Sequence, residues 1–198
     1  QPRFYDADYV YFITVNTQDK YPYFKEVILC DLWIEELKFC KKIREFDLYA
    51  FCLNYDHFHM ILKPHENSNI SKTMQSIKCY FSQDANKIIS GVRFDESESS
   101  SSRFQVGENE EVNEKIKMRK NFEKKVLIPL QKKFHQKHPN AQHFIPKFKW
   151  QKSFRDHVIR NDQDMEIKWN YTTYNFKKHE YIPIRHRNEQ LLNALYLC

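Results

Sequence analysis

The sequence predicts an α+β domain in which an antiparallel β-sheet carries helices on one face. Three observations lead to this prediction. The predicted elements follow the order strand, helix, strand, strand, helix and, after a long polar stretch, strand and helix. The strands are rich in β-branched and aromatic residues, whereas the helices repeat apolar residues every three or four positions. A chain of 198 residues is long enough for one principal domain with a hydrophobic core and an appendage.

The first half of the chain contains three predicted strands and two predicted helices. DYVYFITVN (8–16) predicts a strand, and the polar NTQDK after it predicts a turn. Residues 24–46 have the apolar spacing of an amphipathic helix. FDLYAFCLN (46–54) and HFHMILK (57–63) predict a hairpin, because the Asn and Asp of the intervening NYD favour a tight turn. The spacing in residues 70–89 predicts the second helix.

Residues 91–146 differ in character from the rest of the chain. Their first part, ESESSSSRFQVGENEEVNEK, is acidic and serine-rich and contains too few large apolar residues to form a core, which predicts a flexible loop. The second part is basic, with helical spacing interrupted at Pro129. We therefore expect 91–146 to be an insertion outside the core. The principal domain would comprise 1–90 and 147–182, followed by a tail at 183–198.

The core pattern resumes after this segment. FKWQKSF (148–154) alternates like a strand, and the following stretch predicts a helix that begins at Asp162 or Asp164. A βαββαβ order folds most simply as a ferredoxin-like or RRM-like antiparallel sheet with both crossover helices on one face. The opposite face of the sheet is then open to the last helix.

Composition narrows the classes of function. The net charge is +6, and the chain contains 16 Phe, 12 Tyr and 3 Trp, which favours binding to nucleic acid, single strands in particular. Five cysteines without a C-x-x-C pair indicate reduced thiols in a cytoplasmic protein rather than a disulfide framework or a zinc knuckle. The longest apolar runs have the length of a strand, so we expect neither a membrane segment nor secretion.

The strongest candidate site lies in CLNYDHFHMILKP (52–64). Side chains alternate along a strand, so His57 and His59 share one face, where two imidazoles can bind one metal ion. The alternative is that one histidine packs in the core and the other is a surface residue. In the last helix Tyr171 and Asn175 are four apart and share a face. If this helix crosses the open face, Asn175 can offer a carbonyl oxygen to the same ion.

Four segments, in this order, resemble the single-tyrosine HUH transposases of the IS200-like superfamily, in particular the REP-associated tyrosine transposases. They are LNYDHFHMILKP, MQSIKCYFSQDANK, WQKSFRDHVIRND and NYTTYNFKKHE. The resemblance implies an HUH nuclease fold with a tyrosine-bearing C-terminal helix. It also implies a DNA transposase that nicks and rejoins single-stranded or hairpin DNA, such as a REP hairpin, and that needs no nucleotide cofactor.

Carried over to this sequence, the resemblance implies that His57 and His59 are metal ligands, that Asn175 is the third ligand, and that Tyr171 is the nucleophile forming a 5′-phosphotyrosine. It favours Mg²⁺ or Mn²⁺, although imidazole also suits Zn, Cu and Ni. The sequence departs from the family by having Tyr-Asp before the first histidine where many relatives have Pro-Asn, and NFKKHE at the helix exit. Tyr174 is the rival nucleophile, but it lies on an adjacent helical face.

Basic residues near these motifs are candidate DNA contacts. They are Lys78, Lys152, Arg155, Arg160, Lys177 and Lys178. Two other interpretations stay open: a non-catalytic RRM-like protein that binds single-stranded nucleic acid, and an HUH nuclease of the replication-initiator type. We expect a cytoplasmic, nucleoid-associated protein that acts as a monomer or a homodimer.

Overall fold

The computed structural model describes residues 8–65, 68–92, 94 and 110–178, without the side chains of residues 142 and 176–178. The strands in these ranges are β1 (Val10–Asn16), β2 (Phe46–Leu53), β3 (His57–Pro64) and β4 (Arg155–Ile159). The helices are α1 (Val27–Arg44), α2 (Ile70–Ser90), α3 (Glu110–Phe122), α4 (Ile128–Lys137), α5 (Ala141–Phe144) and α6 (Asp162–Lys178). The predicted tail and most of the predicted acidic loop lie outside the described residues.

The four strands form one antiparallel sheet in the order β2-β3-β1-β4. Helix α1 connects β1 to β2, and α2 connects β3 to β4. These two helices pack on one face of the sheet, while α6 packs against β2 and β3 on the other. The predicted α+β, ferredoxin-like fold with an additional C-terminal helix is therefore confirmed.

Local signals set the bounds of α2, the longest described helix. The Asn69 side chain accepts a hydrogen bond from the backbone N–H of Lys72 at 2.9 Å, which satisfies a donor of the first turn. Gly91 ends the helix with a φ of 73°, a left-handed conformation that costs glycine least. None of the helices in the described part of the chain combines the length and apolar character needed to cross a bilayer.

An aromatic cluster forms the centre of the main core. The rings of Trp33 on α1 and Phe58 on β3 lie 4.4 Å apart, and Phe81, Phe148 and Trp150 pack around them. Aromatic pairs of this kind contribute about 0.5–1.5 kcal/mol beyond the burial of their area. Because Phe58 faces this core, its neighbours on either side in β3 face α6.

A β-bulge at Tyr49 adjusts the alternation of β2. The register shifts between Leu48 and Ala50, so the residues after the bulge change face. Phe51 then joins the main core, while Cys52 lies beside His59 in the register of β2 and β3. The bulge thus gives β2 an apolar core face along its whole length.

The last strand differs from its prediction. Residues 148–154 were expected to form it, but β4 begins only at Arg155, and Trp150 contributes an isolated bridge to Thr17. The alternation that suggested a strand is real, since Phe148 and Trp150 are buried. The backbone of Phe148, however, is paired by the side chain of Asn86, which accepts at 2.7 Å and donates at 3.1 Å.

The helical part of the 91–146 segment joins the core, contrary to the expectation that it lies outside. Helices α3 and α4 are connected by a π-helical turn, Glu123–Leu127, and Pro129 lies in the first turn of α4. Leu127 and Phe134 are fully buried in the main core. Sequence periodicity could not reveal this, because most of the segment's surface is basic. The division of the chain into domains stays a prediction.

A buried arginine fastens α3 to the two crossover helices. The Arg119 guanidinium donates to Glu36 on α1 at 3.2 Å and to Asp84 on α2, and none of the three side chains is appreciably exposed. It also lies within 5.3 Å of the ring centroids of Phe39 and Tyr80. Burial, together with the charge of Asp84, raises the pKa of Glu36 well above its ordinary value.

Replacing Arg119 with Met should destabilise the protein strongly. The variant keeps an unbranched apolar side chain but leaves Glu36 and Asp84 buried without their cation. Loss of one partner of a buried ion pair costs about 3–5 kcal/mol, to be measured as the free energy of unfolding in guanidinium chloride. Lys120→Met, at the exposed neighbouring position, is the matched control. Equal unfolding midpoints for the two variants would contradict the role given to Arg119.

The raised pKa of Glu36 predicts a pH dependence of stability. The folded state binds this proton more tightly than the unfolded state. The resulting stabilisation is complete below the unfolded pKa of about 4.3 and is lost as the pH rises through the folded pKa. The free energy of unfolding should therefore fall less steeply above about pH 5 in Glu36→Gln than in the parent. Glu35→Gln, on the more exposed neighbour, should keep the parental slope.

Candidate active site

The two histidines of the H-x-H motif lie side by side beneath α6. Their ring centroids are 4.9 Å apart, and the rings are nearly perpendicular. His59 is 3% exposed, and the His57 side chain is 14% exposed. The two histidines share one face because side chains alternate along β3, and Phe58 between them points into the core on the other face. The structure therefore brings the two imidazoles together on the face that α6 covers.

Asp56 orients the imidazole of His57. Its carboxylate lies 2.6 Å from Nδ1 of His57. An ionised carboxylate only accepts hydrogen bonds, so Nδ1 carries the proton and Nε2 of a neutral imidazole presents a lone pair. Such an arrangement is typical of histidines that bind metal ions.

Asn54 connects His57 to Asn175. Its Nδ2 lies 3.1 Å from Nε2 of His57 and 2.9 Å from Oδ1 of Asn175. An amide nitrogen only donates, so the histidine nitrogen and the asparagine oxygen are both acceptors that converge on one point. Asn175 on α6 is 3% exposed, and its oxygen contacts the same amide nitrogen that contacts His57.

His59 is held by β1. Its Nδ1 lies 2.8 Å from Oγ1 of Thr14, its partner in the register of β1 and β3. Its ring stacks on Phe12, with centroids 5.6 Å apart and planes 13° from parallel. Because Thr14 engages Nδ1, Nε2 is the candidate metal-binding nitrogen of this residue.

Tyr171 lies over the histidines. Its ring meets His59 edge-on at 5.0 Å and Phe12 at 5.7 Å, yet the residue is 44% exposed. The hydroxyl-bearing ring thus contacts a candidate metal ligand and is accessible to a large substrate. Tyr174, the rival nucleophile, is 52% exposed. One helical turn separates Tyr171 from Asn175, so a single helix delivers both side chains to the site.

The start of α6 is fixed by its contacts with β4. The side chain of Asn161 accepts from the N–H of Asp164 at 2.8 Å and so caps the helix, which begins at Asp162. The carboxylate of Asp164 accepts from Nε2 of His157 at 2.7 Å, and this hydrogen bond lowers the pKa of Asp164. The helix therefore begins at Asp162, one of the two starts predicted, and the preceding Asn161 caps it.

The donors in this site suit a divalent ion. Two imidazoles and one amide oxygen lie close together in a largely buried cluster, and Asp56 adds negative charge through His57. Among the described residues no group of three or more His, Cys, Asp or Glu side chains is placed to hold a metal ion. The amide oxygen of Asn175 lies beside the two imidazoles through its contact with Asn54, and its role as a third ligand stays a prediction.

The candidate DNA contacts lie in two places. Lys78 and Lys152 line an open groove of about 530 Å³ between α2 and residues 148–154, together with Lys149 and the ring of Phe154. Lys78 donates to the carbonyl of Gln151 at 2.9 Å, and burial lowers its pKa. No carboxylate lines this groove in the described part of the chain.

The other candidate DNA contacts do not line the groove. Arg155 begins β4, Arg160 follows it, and both are exposed. The side chains of Lys177 and Lys178 lie outside the described residues.

Sequence reasoning missed several residues of the site. Asp56 was noted as a turn residue and as a departure from related sequences, although a carboxylate next to a candidate ligand is a usable signal. Asn54 was assigned only to the turn, and its role follows from a partner 121 positions away. Thr14 and Phe12 carry no motif and become visible only through the pairing of β1 with β3.

Comparisons with known proteins identify a family for this sequence. Residues 7–120 match the family model described as Transposase IS200 like. No curated protein matches the sequence. A solved structure described as the REP-associated tyrosine transposase bound to a REP hairpin is 18% identical, with a TM-score of 0.49, over 92% of this chain and 75% of that one. A candidate transposase from Deinococcus radiodurans R1 is 13% identical, with a TM-score of 0.40, over 85% and 92% of the two chains.

The family match includes both histidines of the site and ends before α6. It extends over more than half of the 198 residues. The family predicted from the sequence motifs is thereby confirmed: the chain belongs to the IS200-like transposase family.

Proposed function

We propose that this transposase cuts and rejoins single-stranded DNA, with Tyr171 as the nucleophile and a divalent ion bound by His57, His59 and Asn175. The observation that carries the proposal is the position of α6. It sets the Tyr171 ring 5.0 Å from His59 and directs the oxygen of Asn175 towards the atom that also contacts His57. Nucleophile and candidate ligands thus meet on one face of the sheet.

The covalent step balances without a nucleotide cofactor. The hydroxyl oxygen of Tyr171 attacks the scissile phosphorus, the P–O3′ bond breaks, and the products are a 5′-phosphotyrosine and a 3′-hydroxyl. The tyrosine proton passes to solvent, and the departing 3′ oxygen takes up a proton. Attack of a 3′-hydroxyl on the phosphotyrosine reverses these changes and rejoins a strand.

The side chains of the site prepare this step. A tyrosine hydroxyl has an ordinary pKa of about 10, so at neutral pH it depends on charge withdrawal from the phosphate. An ion bound there, Mg²⁺ or Mn²⁺, would supply that withdrawal by contacting the phosphate oxygens. Asp56 holds His57 in the tautomer that can bind it, and Thr14 orients His59. The exposed side of Tyr171 admits the DNA strand.

The groove of Lys78, Lys149 and Lys152 is the proposed path of the strand. Three lysines without a carboxylate provide positive charge for phosphates, and Phe154 provides a ring on which a base can stack. A preference for hairpin DNA and a cytoplasmic, nucleoid-associated location are part of the proposal through the family resemblance. Lys177, Lys178, Arg155 and Arg160 stay candidate DNA contacts.

Replacing Tyr171 with Phe should abolish covalent capture of DNA. The variant keeps the ring contacts with His59 and Phe12 but has no oxygen to attack phosphorus. The measurement is a denaturation-resistant protein–DNA adduct formed with labelled single-stranded or hairpin DNA in the presence of Mn²⁺. Tyr174→Phe is the matched control and should retain the adduct.

Two results would count against this assignment. An adduct that persists undiminished in Tyr171→Phe and disappears in Tyr174→Phe would exchange the roles of the two tyrosines. The absence of an adduct in the parent protein with every DNA end tested, while binding is retained, would favour the non-catalytic binding protein.

Removing two lysines from the groove should weaken DNA binding in a salt-dependent manner. Lys149 and Lys152 are exposed, so Lys149→Ala/Lys152→Ala should leave the fold intact. Each lost phosphate contact on a single strand makes the slope of log affinity against log salt shallower by about 0.7. Fluorescence anisotropy between low and moderate salt measures that slope. Lys132→Ala/Lys133→Ala removes the same charge from α4, and equal slopes for the two double variants would exclude the groove.

A further inference from the structure

Asn54 is a buried polar residue at the centre of the candidate site. It follows β2, its backbone N–H donates to the carbonyl of His57 at 2.8 Å, and its side chain is fully buried. Burying an amide is costly unless its polar atoms are used. A turn needs only the backbone of this residue, so the buried side chain calls for a separate explanation.

The orientation of the Asn54 amide follows from its partners. Asp56 holds the proton on Nδ1 of His57, which makes Nε2 an acceptor and requires Asn54 to present its NH₂ group there. The same NH₂ group then requires Asn175 to present its oxygen. This leaves the buried Nδ2 of Asn175 without a hydrogen-bond partner among the described residues. The oxygen of Asn175 thus points towards Asn54, while the buried amide nitrogen of Asn175 forgoes a hydrogen bond, which costs free energy.

The distances in this cluster match those between ligands of one ion. In an octahedral site with bonds of about 2.0–2.1 Å, neighbouring ligand atoms lie about 2.9 Å apart. The terminal nitrogen of Asn54 lies 3.1 Å and 2.9 Å from the two candidate ligand atoms, Nε2 of His57 and Oδ1 of Asn175. The end of the Asn54 side chain therefore lies as far from these two atoms as a third ligand of the same ion would lie.

We infer that Asn54 is a further metal ligand, whose amide rotates by half a turn to present its oxygen when the ion binds. The inference rests on the proposed metal site of His57, His59 and Asn175. The rotation exchanges the two ends of the amide within nearly the same volume. The oxygen gives up a long contact of 4.0 Å from Sγ of Cys52, which is a weak hydrogen bond.

The rotated amide would make the donor set richer in oxygen. Two imidazole nitrogens and two amide oxygens suit Mg²⁺ or Mn²⁺ better than two imidazoles and one oxygen do. Without the ion, the NH₂ group of Asn54 donates to Nε2 of His57 and Oδ1 of Asn175 and so holds these two atoms close together. In one orientation the Asn54 side chain donates hydrogen bonds to the two ligand atoms. In the other orientation its oxygen would itself bind the ion.

The test is the affinity of the purified full chain for Mn²⁺, measured without DNA by calorimetry and by the electron paramagnetic resonance of free Mn²⁺. Asn54→Leu has a similar shape and no polar atom, and it should bind Mn²⁺ at least about tenfold more weakly. Asn54→Asp presents an oxygen in either orientation and should bind at least as tightly as the parent. A residue that acted only by donating hydrogen bonds would lose affinity in both variants.

His57→Ala separates this inference from the proposed function. Unchanged Mn²⁺ affinity in His57→Ala would overturn the proposed metal site. Loss of affinity in His57→Ala with parental affinity in Asn54→Leu would overturn only the role of Asn54. Circular dichroism in metal-free buffer establishes whether each variant folds. If Asn54→Leu does not fold, Asn54→Asp decides, since a tenfold loss of Mn²⁺ affinity there would refute an oxygen ligand at this position.

Discussion

The packing of Phe58 against Trp33 determines which face of the sheet each side chain of β3 occupies. Alternation along a strand has a period of two, so a slip of one residue would exchange the two faces of β3. The aromatic core excludes such a slip, because it would replace a fully buried ring with an imidazole. His57 and His59 are therefore held on the opposite face by an apolar contact in which neither takes part.

Buried polar atoms in the site also need hydrogen-bond partners. The site provides them through four side chains, each of which fixes the orientation of the next. Asp56 determines the tautomer of His57, His57 determines the orientation of Asn54, and Asn54 determines that of Asn175. Each step follows from the donors that a side chain possesses. The hairpin of β2 and β3 supplies the first three residues and α6 supplies the last, so the position of the helix and the chemistry of the hairpin are specified together.

The roles of the four residues nominated for the site stay predictions. Periodicity and local signals were enough to predict the fold class, the strands β1, β2 and β3 and the helices α1, α2 and α6. These signals fail where a side chain, rather than a neighbouring strand, forms the hydrogen bonds of a backbone segment. Phe148 has the alternation of a strand, but Asn86 pairs its backbone, and β4 starts later. Arg119 lies in a basic stretch that resembles a solvated surface, and its burial depends on carboxylates from two distant helices. Asn54 was missed because its turn accounted for it completely at the level of sequence.

The clamp that Asn86 forms on Phe148 has a consequence for substrate binding. The same stretch is fastened at further points, since Tyr23 donates to the carbonyl of Lys147 and Gln18 to that of Lys149, at 2.9 Å and 2.8 Å. The wall of the basic groove is therefore held in place by hydrogen bonds within the protein. A surface that is already rigid loses little conformational entropy on association, so the loss falls on the nucleic acid. On the proposed path, a strand already constrained in shape would lose least, and the groove would select its substrate by flexibility as well as by charge.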